Sequence, residues 1–258
     1  MAGVLALAWA GGLLPSRVDD AGAGWADRDL RLRTSSAPAP GEEPSSGQRL
    51  LPAPQVPATG GSFTFLHTLG DGLSPVSWDP CRPVRYVVRA DGEVPGGAAA
   101  LAGALTELSA ATGLRFVDGG RSEEGPSDER EAYQPQRYGS GWAPVLVTWS
   151  DPAESPRLGG DVTGYAGPVA YGRAGQRERY VSGQVVLDAP QLRQLQAGPG
   201  GAAAVRAVLL HEFAHLAGLG HVDDASQVMN PVGSAAGPFS FADGDRRGLA
   251  LLGAGGCR

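Results

Sequence analysis

HEFAHLAGLGH, residues 211–221, holds three of the four histidines in a chain of 258 residues. The run that contains it, AAAVRAVLLHEFAHLAG, is rich in alanine and leucine and reads as a helix that Gly218 stops by a left-handed turn. On such a helix His211 and His215, four positions apart, stand one above the other on one face. Gly218 then turns the chain, so that His221 delivers a third nitrogen to a point a straight helix does not reach. Three imidazoles leave one coordination position open on a Zn²⁺ ion, and water in that position has a pKa near about 7. Glu212, beside the first ligand, is placed to take the proton of that water without ligating the metal. The chemistry implied is hydrolysis, with the metal polarising a carbonyl and Glu212 passing the proton to the leaving amine. An isolated His-Glu pair on an apolar helix is more often structural. Five spaced positions, His211, Glu212, His215, Gly218 and His221, form a far more specific pattern.

Working outward, PVRYVVRA (83–90) reads as a strand, followed by a helix in which Leu101, Leu105 and Leu108 recur at helical spacing before Gly113 ends it. LRFVDG and APVLVTWSD read as two more strands, with a polar, acidic loop from Gly119 to Gly141 between them. GYAGPVAYG and YVSGQVVLDA are a fourth and a fifth, joined by the charged turn RAGQRER, and Pro168 suits only a sheet edge. The loop QAGPGG precedes the histidine helix. FADGDRRGLALLG reads as a closing helix with an acidic first turn.

The length and 42% hydrophobic content allow a sizeable core and exclude disorder throughout. A net charge of −6 gives no electrostatic case for nucleic acid or an anionic membrane surface as partner. All 21 basic residues are arginine, which we attribute to coding composition. Residues 1–15, MAGVLALAWAGGLLP, resemble the apolar part of a signal peptide without its basic lead, and are too short to span a bilayer. Residues 16–60, rich in Pro, Ser and Gly, read as a disordered linker, and residues 61–258 as the folded domain. Cys81 and Cys257 bracket that domain, a placement that suggests a disulfide clasp contributing about 4 kcal/mol in an oxidising compartment. Two unrelated reduced thiols are the alternative.

The histidine pattern resembles that of the metzincin zinc endopeptidases, HExxHxxGxxH followed by a turn containing methionine, which QVMNP supplies. HLAGLGH, Met229 with Pro231, and the terminal helix resemble the matrixin branch. The resemblance implies an α+β, zincin-like fold: a mixed, twisted five-stranded sheet, two long helices of which one carries the HExxH motif, and a small C-terminal subdomain with the methionine turn and a terminal helix. It implies one catalytic Zn²⁺ held by His211, His215 and His221, with Glu212 catalytic. Met229 would form an apolar floor beneath the imidazoles. Val169, Ala170 and Tyr171 would lie on the cleft-side edge where an extended polypeptide pairs its backbone, and Pro231, Val232 and Gly233 would line the pocket after the cut bond.

Some positions depart from the matrixin pattern. Val222 stands where Ser is common after the third histidine, no Tyr follows Met229, and no pro-domain cysteine is visible. Cys81 as a plug on the zinc is less fitting than a disulfide, because it lies directly against the first strand. Asp223 or Asp224 either orients a ligand imidazole or closes a solvated turn, the latter being favoured. His67 alone does not make a second zinc site. Calcium lacks support: Asp118, Glu123, Glu124, Asp128, Glu129, Glu131, Asp161 and Asp188 show no dedicated spacing and read as solvated loops. The function expected is a secreted or surface-tethered, monomeric zinc endopeptidase of extended polypeptides. The rival readings are a structural metal site and a non-catalytic extracellular interaction module with a Pro-rich tether.

Overall fold

The computed structural model describes residue 45 and residues 47–172, 177–198, 200–232 and 237–257. The signal-like segment, nearly all of residues 16–46 and Gly233 lie outside the described residues.

Five strands form one sheet: β2 (Val84–Arg89), β3 (Phe116–Arg121), β4 (Val145–Ser150), β5 (Gly164–Tyr171) and β6 (Arg179–Asp188). Their order is β3-β2-β4-β6-β5, parallel except for β5, which runs antiparallel to β6 at the edge. The parallel neighbours β2 and β3 need a crossover, which α1 (Gly97–Thr112) supplies. Gly113 stops α1 at φ 66°, with its N–H on Ser109 O. Leu101, Leu105 and Leu108 of α1 are buried in the main core with Val84 of β2, Val147 of β4 and the helix α4 (Gly201–Ala217). Alternation along β5 sorts its side chains: Ala166 and Ala170 enter that core, while Tyr165 and Val169 join two small clusters beneath the loops. This is the mixed α+β arrangement that the resemblance implies.

Three features differ from the sequence reading. A second helix, α3 (Ala189–Ala197), directly precedes α4; Asp188 caps it by accepting the Gln191 N–H at 2.8 Å. Asp188 is thus a buried helix cap and not part of a solvated loop. Likewise Glu124 is buried: the Arg130 guanidinium donates to both its oxygens, at 2.9 and 3.0 Å, and also to Ser182 Oγ and Gly183 O on β6. That pair fastens the loop between β3 and β4, which includes the short helix α2 (Pro135–Tyr138), onto the sheet. Finally, the last part of the stretch read as linker touches the domain: the Leu50 N–H donates to Pro80 O at 3.1 Å and Arg49 Nη1 to Gly255 O at 2.6 Å. Composition hides this contact because it is made by backbone groups and one guanidinium, not by an apolar face.

After α4 the chain makes the two-residue strand β7 (Leu219–Gly220), antiparallel to β1 (Thr64–Phe65). The methionine turn follows, and then α5 (Asp243–Gly253) closes the domain. Cys81 and Cys257 are joined in a disulfide, Cα–Cα 5.3 Å, across 176 residues.

Candidate metal centre and cleft

The site begins with the end of α4. Gly218 takes φ 119° and its N–H bonds Ala214 O and His215 O. A Cβ there would lie 3.0 Å from Tyr180 Cε2 and from Leu252 Cδ2, so the turn needs glycine on both grounds. The turned chain is then held by β1: the Leu66 N–H donates to Gly218 O at 2.9 Å and Thr64 Oγ1 to His221 O at 2.9 Å. His221 is thereby brought over the two helical histidines.

The Nε2 atoms of the three rings lie 3.0, 3.0 and 3.2 Å from one another. His211 Nδ1 donates to Val228 O and His215 Nδ1 to Leu219 O, both at 2.7 Å. A carbonyl only accepts, so in both neutral rings the proton sits on Nδ1 and an Nε2 lone pair faces the cluster. Adding a second proton is costly in this place: burial, followed by the neighbouring His221, pushes His211 down to about 3, and burial with both neighbours pushes His215 well below the ordinary imidazole value. Lone pairs this close repel unless a cation lies among them. The donor set, three imidazole nitrogens whose second nitrogens are anchored on carbonyls, suits Zn²⁺. The trio is the single cluster of three or more candidate metal ligands among the described residues.

Glu212 is fully buried, and neither carboxylate oxygen has a hydrogen-bond partner among the described residues. Burial raises its pKa well above the usual carboxylate range. It faces the first residue of the edge strand: a Cβ on Gly164 would lie 3.0 Å from Glu212 Oε1. A buried acid without a hydrogen-bond partner, next in the chain to His211, is a candidate for chemistry.

The edge strand also shows which backbone groups look outward. The Asp188 N–H donates to Thr163 O at 2.8 Å, which makes that pair the hydrogen-bonded kind. Ladder alternation then turns Tyr165, Gly167 and Val169 toward β6, and Gly164, Ala166 and Pro168 away from it. Pro168 has no N–H to offer there, so the outward donors are those of Gly164 and Ala166. Of the three residues expected on the cleft side, Val169 points inward, and Ala170 and Tyr171 follow a register shift.

Met229 is buried in the main core, and Val222 N–H donates to its carbonyl at 3.1 Å. Pro231 is half-buried and Val232 exposed. Asp224 closes its own turn, accepting from the Ser226 N–H, Ser226 Oγ and Gln227 Nε2, while Asp223 is exposed. His67 Nδ1 meets Tyr180 Oη at 3.2 Å. The sequence reading missed Asp245. Its buried carboxylate accepts the N–H of Val228, Met229 and Ala242, at 2.8, 3.3 and 3.0 Å, and so ties α5 to the carbonyl-bearing segment that orients His211. The acidic first turn of the closing helix was the signal available, read only as a favourable charge at a helix N-terminus.

Compared with known families, residues 161–252 match the family described as Matrixin. No curated protein matches the chain. Among solved structures, high choriolytic enzyme 1, a hatching enzyme zinc-protease from Oryzias latipes (medaka fish), is 12% identical with TM-score 0.35 over 68% of this chain and 90% of its own. Metalloproteinase-II from Bacteroides fragilis is 12% identical with TM-score 0.38 over 80% of this chain and 57% of its own. Likenesses that distant carry no weight for the site. The family match, by contrast, spans the stretch of this chain that bears all three histidines of the candidate metal centre.

Proposed function

We infer that the protein is a zinc-dependent endopeptidase that hydrolyses peptide bonds of extended polypeptides. The observation that carries this is the set of three converging Nε2 atoms, two of them stripped of protons by their Nδ1 contacts, with a partnerless buried carboxylate beside them. His211, His215 and His221 hold the zinc, which when bound supplies a Lewis acid and an acidified water. Glu212 accepts a proton at its carboxylate and returns it to the leaving amine; its depressed acidity in the buried site suits both halves of that transfer. Gly164 and Ala166 offer outward N–H groups that register an extended backbone beside Glu212. Met229 packs under the trio, and Pro231 and Val232 border the pocket after the cut bond. An extracellular location, secreted or surface-tethered, is supported by the disulfide, which persists in oxidising compartments.

The test separates metal from catalysis. The purified protein is expected to hold one zinc per chain by elemental analysis and to cleave an unstructured protein. Glu212→Ala should keep the zinc and lose about 10²–10⁴-fold in kcat/KM. A variant that cleaves at the parent rate removes Glu212 from the reaction, and a parent without zinc removes the reading.

A further inference from the structure

Pro168 sits inside the edge strand, a place where it removes a donor that an incoming strand would use. Three observations fix which residues of β5 face β6. The Asp188 N–H donates to Thr163 O at 2.8 Å, so that pair is hydrogen-bonded, and the register then runs unbroken from Gly164↔Leu187 to Val169↔Ser182. Gly183 stands opposite Pro168, and its carbonyl accepts Arg130 Nη1 at 3.0 Å, on the side away from β5. A Cβ on Gly183 would lie 3.1 Å from Pro168 Cα and 2.7 Å from Gly167 O, the close approach of a pair without mutual hydrogen bonds. Gly164, Ala166 and Pro168 therefore turn their backbone groups away from β6.

β5 is the last strand of its sheet, yet Gly164 and Ala166 are buried. A buried edge donor with no strand beside it among the described residues is costly, and a substrate backbone laid along the edge relieves that cost. Pro168, third in the series, has no N–H, and its ring fills the place of the missing hydrogen. Directly after it the register shifts between Val169 and Ala170, which bends the strand. We propose that Pro168 is a specificity-determining residue that ends the substrate ladder: the backbone is read along Gly164 to Gly167, and the substrate carbonyl that meets the Pro168 nitrogen finds no donor. The proposal rests on the endopeptidase reading and adds to it the length of substrate that is read. Gly164 abuts the candidate base, since a Cβ there would lie 3.0 Å from Glu212 Oε1. The unread carbonyl is therefore about four residues, or about 13 Å, along the strand from that point.

An ester scan tests this. The C=O and N–H of one peptide unit point in opposite directions, so each unit on the strand presents one of them to the enzyme. Replacing an amide by an ester weakens the first or removes the second. Single esters are placed at successive units on either flank of the cut bond in one cleavable peptide, and kcat/KM is compared with that of the all-amide form. In the unaltered protein each ester lying on Gly164–Gly167 should cost about two- to fivefold, and the cost should end after about four units on the flank that runs toward Pro168. Pro168→Ala supplies the missing donor, so the sensitive run should lengthen by at least the next unit. In that variant kcat/KM for a peptide reaching past residue 168, taken relative to one that stops short of it, should rise about fivefold through KM. Ratios taken within each protein cancel any general effect of the substitution. A run of the same length in both proteins overturns the proposal and leaves the protease standing. So does a run beyond about six units in the unaltered protein, whether or not the variant folds. If the unaltered protein cleaves none of the peptides, the endopeptidase reading fails and takes the ladder with it.

Discussion

Asp245 shows how far the candidate metal centre reaches beyond its three histidines. Its carboxylate receives three backbone N–H groups, and one of them belongs to Val228, whose carbonyl takes the His211 Nδ1 proton. The ring of His211 is thus oriented by a group 34 positions later in the chain, through one intervening peptide unit. Asp245→Ala leaves buried donors without an acceptor, a cost of about 2–4 kcal/mol. It also loosens the carbonyl that fixes the His211 tautomer, so zinc affinity should fall about 10–100-fold, measured by competition with a chelator well below the melting temperature. Unchanged affinity in a folded Asp245→Ala protein would show that Val228 holds its place without the carboxylate. The meeting of the three histidines was legible from spacing, because a helix converts an interval of four residues into a shared face. Asp245 was not, because no local period connects it to the loop it holds.

At the scale of elements, the decisive junction is α4 to β7. A helix alone presents two imidazoles; the third depends on a reversal that Gly218 makes possible and that β1 secures from the other end of the domain. Gly218→Ala places a side chain at φ 119° and within 3.0 Å of Tyr180 and Leu252. The expected loss is about 1–3 kcal/mol of stability, with a further drop in zinc affinity because His221 is displaced. Thermal melts of the zinc-loaded and chelated forms check this: the gap between them should shrink in Gly218→Ala and be restored by Gly alone. The helix and its stop were legible in sequence, as were all five strands of the main sheet. The strand pair β1–β7 was not, since two residues on each side carry no alternation to detect. The helix α3 was passed over as well, although Asp188 followed by Ala189 and Pro190 is a start signal in itself.

For the whole molecule, the two ends of the folded region meet. The disulfide from Cys81 to Cys257 closes a loop of 176 residues, and Arg49 holds the tail near the same place through Gly255 O. By the chain-entropy argument a loop that long contributes about 4–5 kcal/mol. Cys81→Ser with Cys257→Ser should therefore lower the melting temperature by about 8–20 °C at the usual conversion for a domain of this size. Peptide turnover at low temperature should persist, because the hydrogen bonds that hold α4, β1 and the methionine turn involve neither cysteine. Loss of turnover in a variant that still melts cooperatively would tie the clasp to the site itself. No described helix is long and apolar enough to cross a membrane.

What the sequence by itself determined was whatever depends on neighbours along the chain: the histidine face of α4, the stop at Gly218, the strand and helix periods, and the pairing partner open to each cysteine. The tertiary structure alone decided which way Pro168 faces on the edge strand, which acids are buried caps and ion-pair partners, and what orients the imidazoles. The physical reason is that periodicity records burial against an element's own axis. Hydrogen-bond parity across a ladder, and the meeting of side chains from distant segments, come into being only when those axes are packed together.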